Sequence, residues 1–216
     1  TPDSWRDSVK SLLRLEPEHI SIYLMEIDEG SRLGREAISG GGRYSAGELP
    51  SDDAMADAYE LACEWLEAAG FDHYEISNWG RPGFRSRHNL KYWRRVPYLG
   101  LGAGAHSFDG QRRWANSHEP AGYVASIDLG QLPTEQESTV SDREALEERI
   151  FLGLRQLEGI DLSMLKGAPD AGLRARIDEM QGDGLVIVEG DRLRLAPDRL
   201  AVSNEVLVEL MSAVGA

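Results

Sequence analysis

Cysteine is nearly absent: Cys63 is the only one in 216 residues. One thiol excludes an internal disulfide framework and a Cys-rich zinc site, and a four-iron cluster held by this chain alone needs at least three. Long apolar runs are missing too, and no stretch approaches the ~18 residues that a membrane span needs. Basic residues are few beside acidic ones, 23 Lys and Arg against 37 Asp and Glu, for a net charge of −14. A chain this acidic is a poor general binder of nucleic acid or of anionic lipid. No apolar h-region follows the first residue, Thr1, so no secretory leader is read. The expectation is a cytoplasmic protein of which this chain is a part. What is present is a globular balance, 41 % hydrophobic and 28 % charged residues.

The apolar pattern predicts an α/β chain. Thr1 and Pro2 open a helix as cap and first residue. Trp5, Val9, Leu12 and Leu13 stripe it, and Glu16-Pro17 ends it. Ile20 to Ile27 is apolar on both faces, the signature of a strand in a parallel sheet covered by helices. Asp28 to Ser51 holds six glycines and reads as a long loop, a lid or a disordered segment. Ser51 caps a second helix, with Asp52 and Asp53 placed well against its dipole. Met55, Ala58, Ala62, Trp65, Leu66 and Ala69 form its buried face, and Gly70 stops it. Phe71 to Ser77 is the next strand, so strand, helix and strand form a βαβ crossover. One crossover is too little for a closed barrel and reads as part of one.

From Val140 the texture turns helical. Leu146, Ile150, Phe151, Leu154 and Leu157 stripe one helix, Met164-Leu165 marks a short one, and Leu173, Ile177 and Met180 stripe a third. Leu185 to Val188 and Arg192 to Leu195 flank Glu189-Gly190-Asp191 as a hairpin, and a last helix runs from Pro197 to Met211. This is a winged-helix-like order. The expected units are residues 1–131, a partial barrel, and residues 142–216, a small and mainly helical domain, with the boundary between Gln131 and Ser141.

Chemistry concentrates in the later part of the first of these. From Ser77 to Phe108 there are six basic residues (Arg81, Arg85, Arg87, Lys91, Arg94, Arg95) and no acid. Phe71 to Trp114 carries nine of the 16 aromatics and three of the five histidines. Rings stack on a planar ligand, guanidinium groups pair with carboxylates or phosphates, and imidazole ligates metal. Such an island suits a flat ligand with anionic groups. The plainer alternative is core aromatics beside solvated arginines.

Within it stand Tyr74-Glu75-Ile76-Ser77-Asn78 with Arg81-Pro82-Gly83, then His88-Asn89-Leu90-Lys91-Tyr92-Trp93, then Tyr98-Leu99-Gly100-Leu101-Gly102-Ala103-Gly104-Ala105-His106-Ser107. These three motifs resemble those of the HemW-type haem chaperones, relatives of the oxygen-independent coproporphyrinogen III oxidases in the radical S-adenosylmethionine (SAM) superfamily. The resemblance covers nearly the whole chain. It takes in Glu26-x-x-Glu29-Gly30 early, and Leu154-Arg155 with Glu158-Gly159-Ile160-Asp161 late. It implies the C-terminal part of a partial (β/α) radical SAM barrel followed by the family's helical C-terminal domain. It also implies SAM and a [4Fe–4S] cluster as cofactors of the full-length protein, haem as bound ligand, and apo-haemoproteins, those of the respiratory chain among them, as recipients. The family's CxxxCxxC motif is absent here, so no cluster, no metal site and no catalytic residue are assigned to this chain, and whether it is part of an enzyme stays open.

The resemblance places haem binding on His88, Asn89, Tyr92 and Trp93, with His88 as candidate ligand of the haem iron. Tyr92 lies four residues on and shares the His88 face if the stretch is helical. The alternative is a motif that only packs the segment. The resemblance places SAM main-chain contacts on Gly102, Gly104, Ala105 and His106. Glycines at 100, 102 and 104 clear one face of an expected strand, although close helix–sheet packing needs the same. Ser77 and Asn78, at a strand end, are candidate pocket liners. His73 and Glu75 lie on the same strand, and His19 and His118 are read as surface or cap residues. Glu144, Glu147 and Glu148 read as the solvated face of a helix.

The expected function is therefore haem binding and delivery, with oxidative decarboxylation of porphyrinogen propionates as the alternative. A winged-helix nucleic-acid module is the third. It is disfavoured, because Asp142 to Ala216 holds 15 acids and nine bases, whereas a reader of DNA needs a basic helix and wing.

Overall fold

The computed structural model describes residues 1–165 and 171–214. The chain forms two compact units, Thr1–Arg85 and Ser86–Ala216. Packing thus divides it earlier than the change of sequence texture at 131–142.

In the first unit, α1 (Pro2–Arg14) starts at Thr1, whose side chain accepts from the Ser4 N–H in a reciprocal capping box. The Trp5 indole N–H donates to the Ala58 carbonyl at 2.8 Å, which ties α1 to α3 (Asp52–Ala68). Ser51 caps α3 as expected, accepting from the Ala54 N–H. The segment read as a glycine-rich loop holds α2 (Arg32–Ile38) and a 3-10 turn, Arg43–Glu48. Strands β1 (His19–Ser21), β2 (Asp72–Glu75) and β3 (Asn78–Gly80) form one sheet in the order β1-β3-β2, both pairings antiparallel.

That corrects two expectations. The strand predicted over Ile20 to Ile27 stops at Ser21. The βαβ order is present, but β3 returns between β1 and β2, so these two share a direction without pairing. The physical reason lies at residues 75–78. The buried Glu75 carboxylate accepts from the Ser77 N–H at 2.6 Å and from the Asn78 amide. It thereby closes a tight reversal that folds the chain back as β3. Ile20, Leu66, Phe71, Tyr74, Ile76 and Trp79 fill the core beneath.

The second unit begins with α4 (Arg87–Trp93), capped by Ser86. Strands β4 (His106–Phe108), β5 (Arg112–Asn116) and β6 (Thr134–Thr139) form an antiparallel sheet, with α5 (Pro120–Asp128) between β5 and β6. Next come α6 (Asp142–Gly153), β7 (Ile160–Asp161), a 3-10 turn at Leu162–Leu165, and α7 (Ala171–Gly182). The hairpin β8 (Val186–Glu189) and β9 (Arg192–Leu195) turns through Gly190, whose φ of 60° a tight hairpin needs. A 3-10 turn and α8 (Ser203–Ser212) close the unit. Sheet order is β7-β9-β8. Ile150, Leu154, Met180, Val186, Leu193, Leu207 and Leu210 are buried around it. Among the described residues no helix is long and apolar enough to cross a membrane.

Candidate functional site

The motif His88-Asn89-x-x-Tyr92-Trp93 is helical, the condition under which its spacing places Tyr92 on the His88 face. Ser86 Oγ accepts from the Asn89 N–H at 3.2 Å and starts α4. None of the seven residues of α4 is buried, and His88 is exposed. Four residues on, Tyr92 meets the His88 imidazole edge to face, with centroids 5.0 Å apart at 78°. Tyr92 touches Tyr98 in turn at 4.8 Å, and Tyr98 lies 6.2 Å from Phe108. A continuous run of rings leads from an exposed imidazole to a buried phenylalanine. Burial pushes the Tyr98 hydroxyl above its ordinary pKa, against the lowering effect of Arg113.

Phe108 is held by charge. The guanidinium groups of Arg95 and Arg113 each lie 5.0 Å from its ring centroid. Both donate to the same carboxylate oxygen, Glu148 Oε2, at 2.7 and 2.9 Å. Glu148 was expected on a solvated face, yet its side chain is 23 % exposed and that of Arg95 only 9 %. The α6 stripe alone could not show this, because the partners come from β5 and from the segment after α4. Glu144 does cap α6, with backbone and side-chain bonds from Ser141 holding its carboxyl below the usual range.

Cations of the basic island have partners of their own within each unit. Arg94 donates to Gln156 and to Glu158, at 3.0 Å each. Arg95 serves Glu148. In the first unit, Arg85 pairs with Asp72 at 3.0 Å, and Arg81 lies over the Phe71 ring at 4.5 Å. Arg87 and Lys91 are exposed on α4 itself.

The glycine segment is a loop, which corrects the expected strand. Tyr98 pairs with Phe108 across an antiparallel bridge, and the chain then folds over β5. Gly102 and Gly104 have φ of 104° and 69°, conformations that side chains resist. A Cβ on Gly100 would sit 2.2 Å from the His106 carbonyl oxygen. Four of the loop's amides are engaged: Gly100 donates to Ser107 Oγ, Gly102 to Tyr123 Oη, Gly104 to the Ser117 carbonyl, and Ala105 to the Gly102 carbonyl. Asn116 donates to the Gly100 and Gly102 carbonyls. Ala105 is half-buried and His106 is exposed at the start of β4.

In the first unit, Ser77 and Asn78 are buried in the β2–β3 reversal, and Ser21 donates to Asn78 at 2.6 Å. Two histidines there have aromatic partners that the sequence did not show. His19 Nε2 lies 2.8 Å from Tyr74 Oη, and His73 stacks on Trp79 at 4.1 Å. Burial lowers the His19 pKa despite the nearby Glu75 charge, and lowers that of His73 to about 4. Each contact is made across strands and leaves no sequence signal. No group of three metal-binding side chains exists among the described residues. Burial pushes the Cys63 thiol up to about 11, so it does not offer a thiolate.

Three comparisons bear on this site. Residues 140–198 match the HemN C-terminal domain family. The chain is 36 % identical over 190 residues to the heme chaperone HemW of Mycobacterium tuberculosis, covering 87 % of this chain and 46 % of that protein. It is 31 % identical to the mitochondrial radical S-adenosyl methionine domain-containing protein 1 of Danio rerio, over 96 % of this chain and 49 % of that one. The chain thus spans about half the length of the curated relatives it matches. Among solved structures, the coproporphyrinogen III oxidase HemN of Escherichia coli, a radical SAM enzyme, matches with a TM-score of 0.69. That match covers 99 % of this chain and 51 % of that one at 16 % identity, and it is a likeness of fold.

Proposed function

This chain belongs to the radical SAM family of HemW-type and HemN-type proteins, and from that membership we propose that it forms the haem-binding part of a cytoplasmic chaperone that passes haem to apo-haemoproteins. The observation that carries the reading is α4, where an exposed imidazole, His88, stands edge-on to Tyr92 on a helix otherwise unburied. Haem is the cargo. It brings an iron for an imidazole, an apolar face for rings and two propionates for cations.

His88 is the iron ligand in this reading. Asn89 and Tyr92 flank it, and Trp93 completes the motif at the far end of the helix. Arg87 and Lys91 are the cations on α4 placed for the propionates, since Arg94 and Arg95 are committed to Gln156, Glu158 and Glu148. The donor set suits such a cargo and does not suit a four-iron cluster, because Cys63 is a single thiol of high pKa. Any cluster would take its ligands from outside this chain. SAM, when bound, would supply the family's radical chemistry. Main-chain contacts to it at Gly102, Gly104, Ala105 and His106 would require the Gly102 and Gly104 amides to give up Tyr123 Oη and the Ser117 carbonyl. The family's C-terminal module corresponds to residues 142–216. The porphyrinogen oxidase alternative has the HemN C-terminal domain match and the fold likeness behind it, but the more similar curated relatives are named heme chaperones.

The test is a hemin titration of the intact protein, read in the Soret band. His88→Ala is expected to shift the band and weaken binding. Arg87→Gln with Lys91→Gln is expected to weaken binding at an unchanged band position. An unaltered band and affinity in His88→Ala, repeated in His106→Ala, would overturn the assignment.

A further inference from the structure

The helix that carries the haem motif is too short to hold itself. Seven-residue helices are marginal in water, and no residue of α4 is fully buried. Its far end is gripped by the turn that follows α6. The Arg155 guanidinium lies over the Trp93 ring, 4.7 Å from the centroid. Arg94 donates from Nε to Gln156 and from Nη2 to Glu158, at 3.0 Å each. Three consecutive contacts thus join residues 93–94 to residues 155–158. The Trp93 indole nitrogen is buried and has no hydrogen-bond partner among the described residues, so the ring is placed by packing and by Arg155.

The gripping turn is itself closely packed. Leu154 and Gln156 are buried. Gly153 approaches Ile160 and Gly159 approaches the Leu193 carbonyl so closely that a Cβ would collide, at 2.2 and 2.1 Å. Ile160 and Asp161 then pair with β9. On α4, Trp93 lies five residues from His88, about 140° around the helix at 3.6 residues per turn. The two therefore point to different sides.

We propose that the C-terminal module positions the haem motif, with Arg155 as the positioning residue acting through Trp93 and with Arg94 on Gln156 and Glu158 as the second point of grip. Trp93 is the motif's anchor to this module, while His88 and Tyr92 face the ligand. The proposal rests on the haem reading for its binding consequence, but the grip itself is a property of the ligand-free protein.

Two measurements on the intact protein separate these. The first is amide hydrogen exchange without haem. Arg155→Leu is expected to speed exchange in residues 87–93 by about fivefold to thirtyfold, the effect of losing a cation–π contact. Exchange in α8 and in the first unit stays as in the parent. Arg155→Lys, which keeps the charge but not the planar group, is expected to restore part of the protection. Unchanged exchange in α4, or acceleration spread evenly over residues 86–214, would overturn the grip.

The second is hemin titration. Arg155→Leu is expected to weaken binding by a similar factor, with the Soret position of the parent. Loosened α4 with unchanged affinity would overturn the positioning role if His88→Ala does lose hemin. If His88→Ala also binds as the parent does, the haem reading has failed, and the exchange result alone decides the grip.

Discussion

Removing the Glu148 carboxylate offers the sharpest test of the packing beneath the site. Its Oε2 accepts from Arg95 and Arg113, and both guanidinium groups cover Phe108. A net charged hydrogen bond contributes about 1.5–3 kcal/mol, and this full range applies to Arg95, whose side chain is 9 % exposed. Arg113 is 38 % exposed, so solvent screening brings its bond into the ~0–1 kcal/mol range of surface pairs. Glu148→Leu should therefore cost about 1.5–4 kcal/mol. The Arg95 charge is then left in a place whose Nη2 is already buried without a hydrogen-bond partner among the described residues. Replacing both partners, Glu148→Leu with Arg95→Met, should cost less than Glu148→Leu alone, because the stranded charge is the main penalty. Urea unfolding at constant slope measures both. In 1 M NaCl only the Arg113 share should fade, since screening reaches exposed pairs far more than buried ones. Two results would refute the reasoning: a Glu148→Leu cost under about 0.5 kcal/mol, or a double variant that costs the sum of its singles.

Stability should fall as pH drops from 6.5 toward 4, because His73 stays neutral in the fold down to about 4 while the unfolded chain takes up a proton from 6.5. At 1.36 kcal/mol per unit this amounts to roughly 3 kcal/mol lost across that window, and His73→Gln should flatten it in urea midpoints taken against pH; a slope of opposite sign would contradict the burial. Cys63, with its thiol near 11, should react with a disulfide reagent at pH 8 on the order of 100-fold more slowly than in urea, by its thiolate fraction; rates within threefold of each other would mean the thiol is not raised. Gly159→Ala should destabilise the second unit by more than about 2 kcal/mol, since φ is 68° and the new Cβ would sit 2.1 Å from the Leu193 carbonyl oxygen. Gly190→Ala, at φ 60° in open space, should cost only about 1–2 kcal/mol; equal thermal midpoints for the two would refute the close-approach argument.

Local signals in the sequence determined the helices and their caps. Thr1, Ser51 and Ser141 each begin a helix where a side-chain oxygen precedes an apolar stripe, and Gly190 sits in the hairpin turn. These features depend on a few adjacent residues, so neighbours suffice to specify them. The spacing from His88 to Tyr92 put both rings on one side once the stretch is helical, and the structure supplied the helix. Strand direction was not local. An apolar run shows that a strand is covered on both faces, not which strand lies beside it. The antiparallel return of β3 depended on the Glu75 carboxylate reaching Ser77 and Asn78. The glycines at 100, 102 and 104 fit a bare strand and a looping backbone equally well, and Asn116, Ser117 and Tyr123 decided for the loop. Arg94, Arg95, Arg155 and Glu148 are charged residues whose sequence neighbours point to solvent. Only the fold brought partners some 50 to 60 positions away within hydrogen-bond reach, since an ion pair is made by distance in space and leaves no period in the chain.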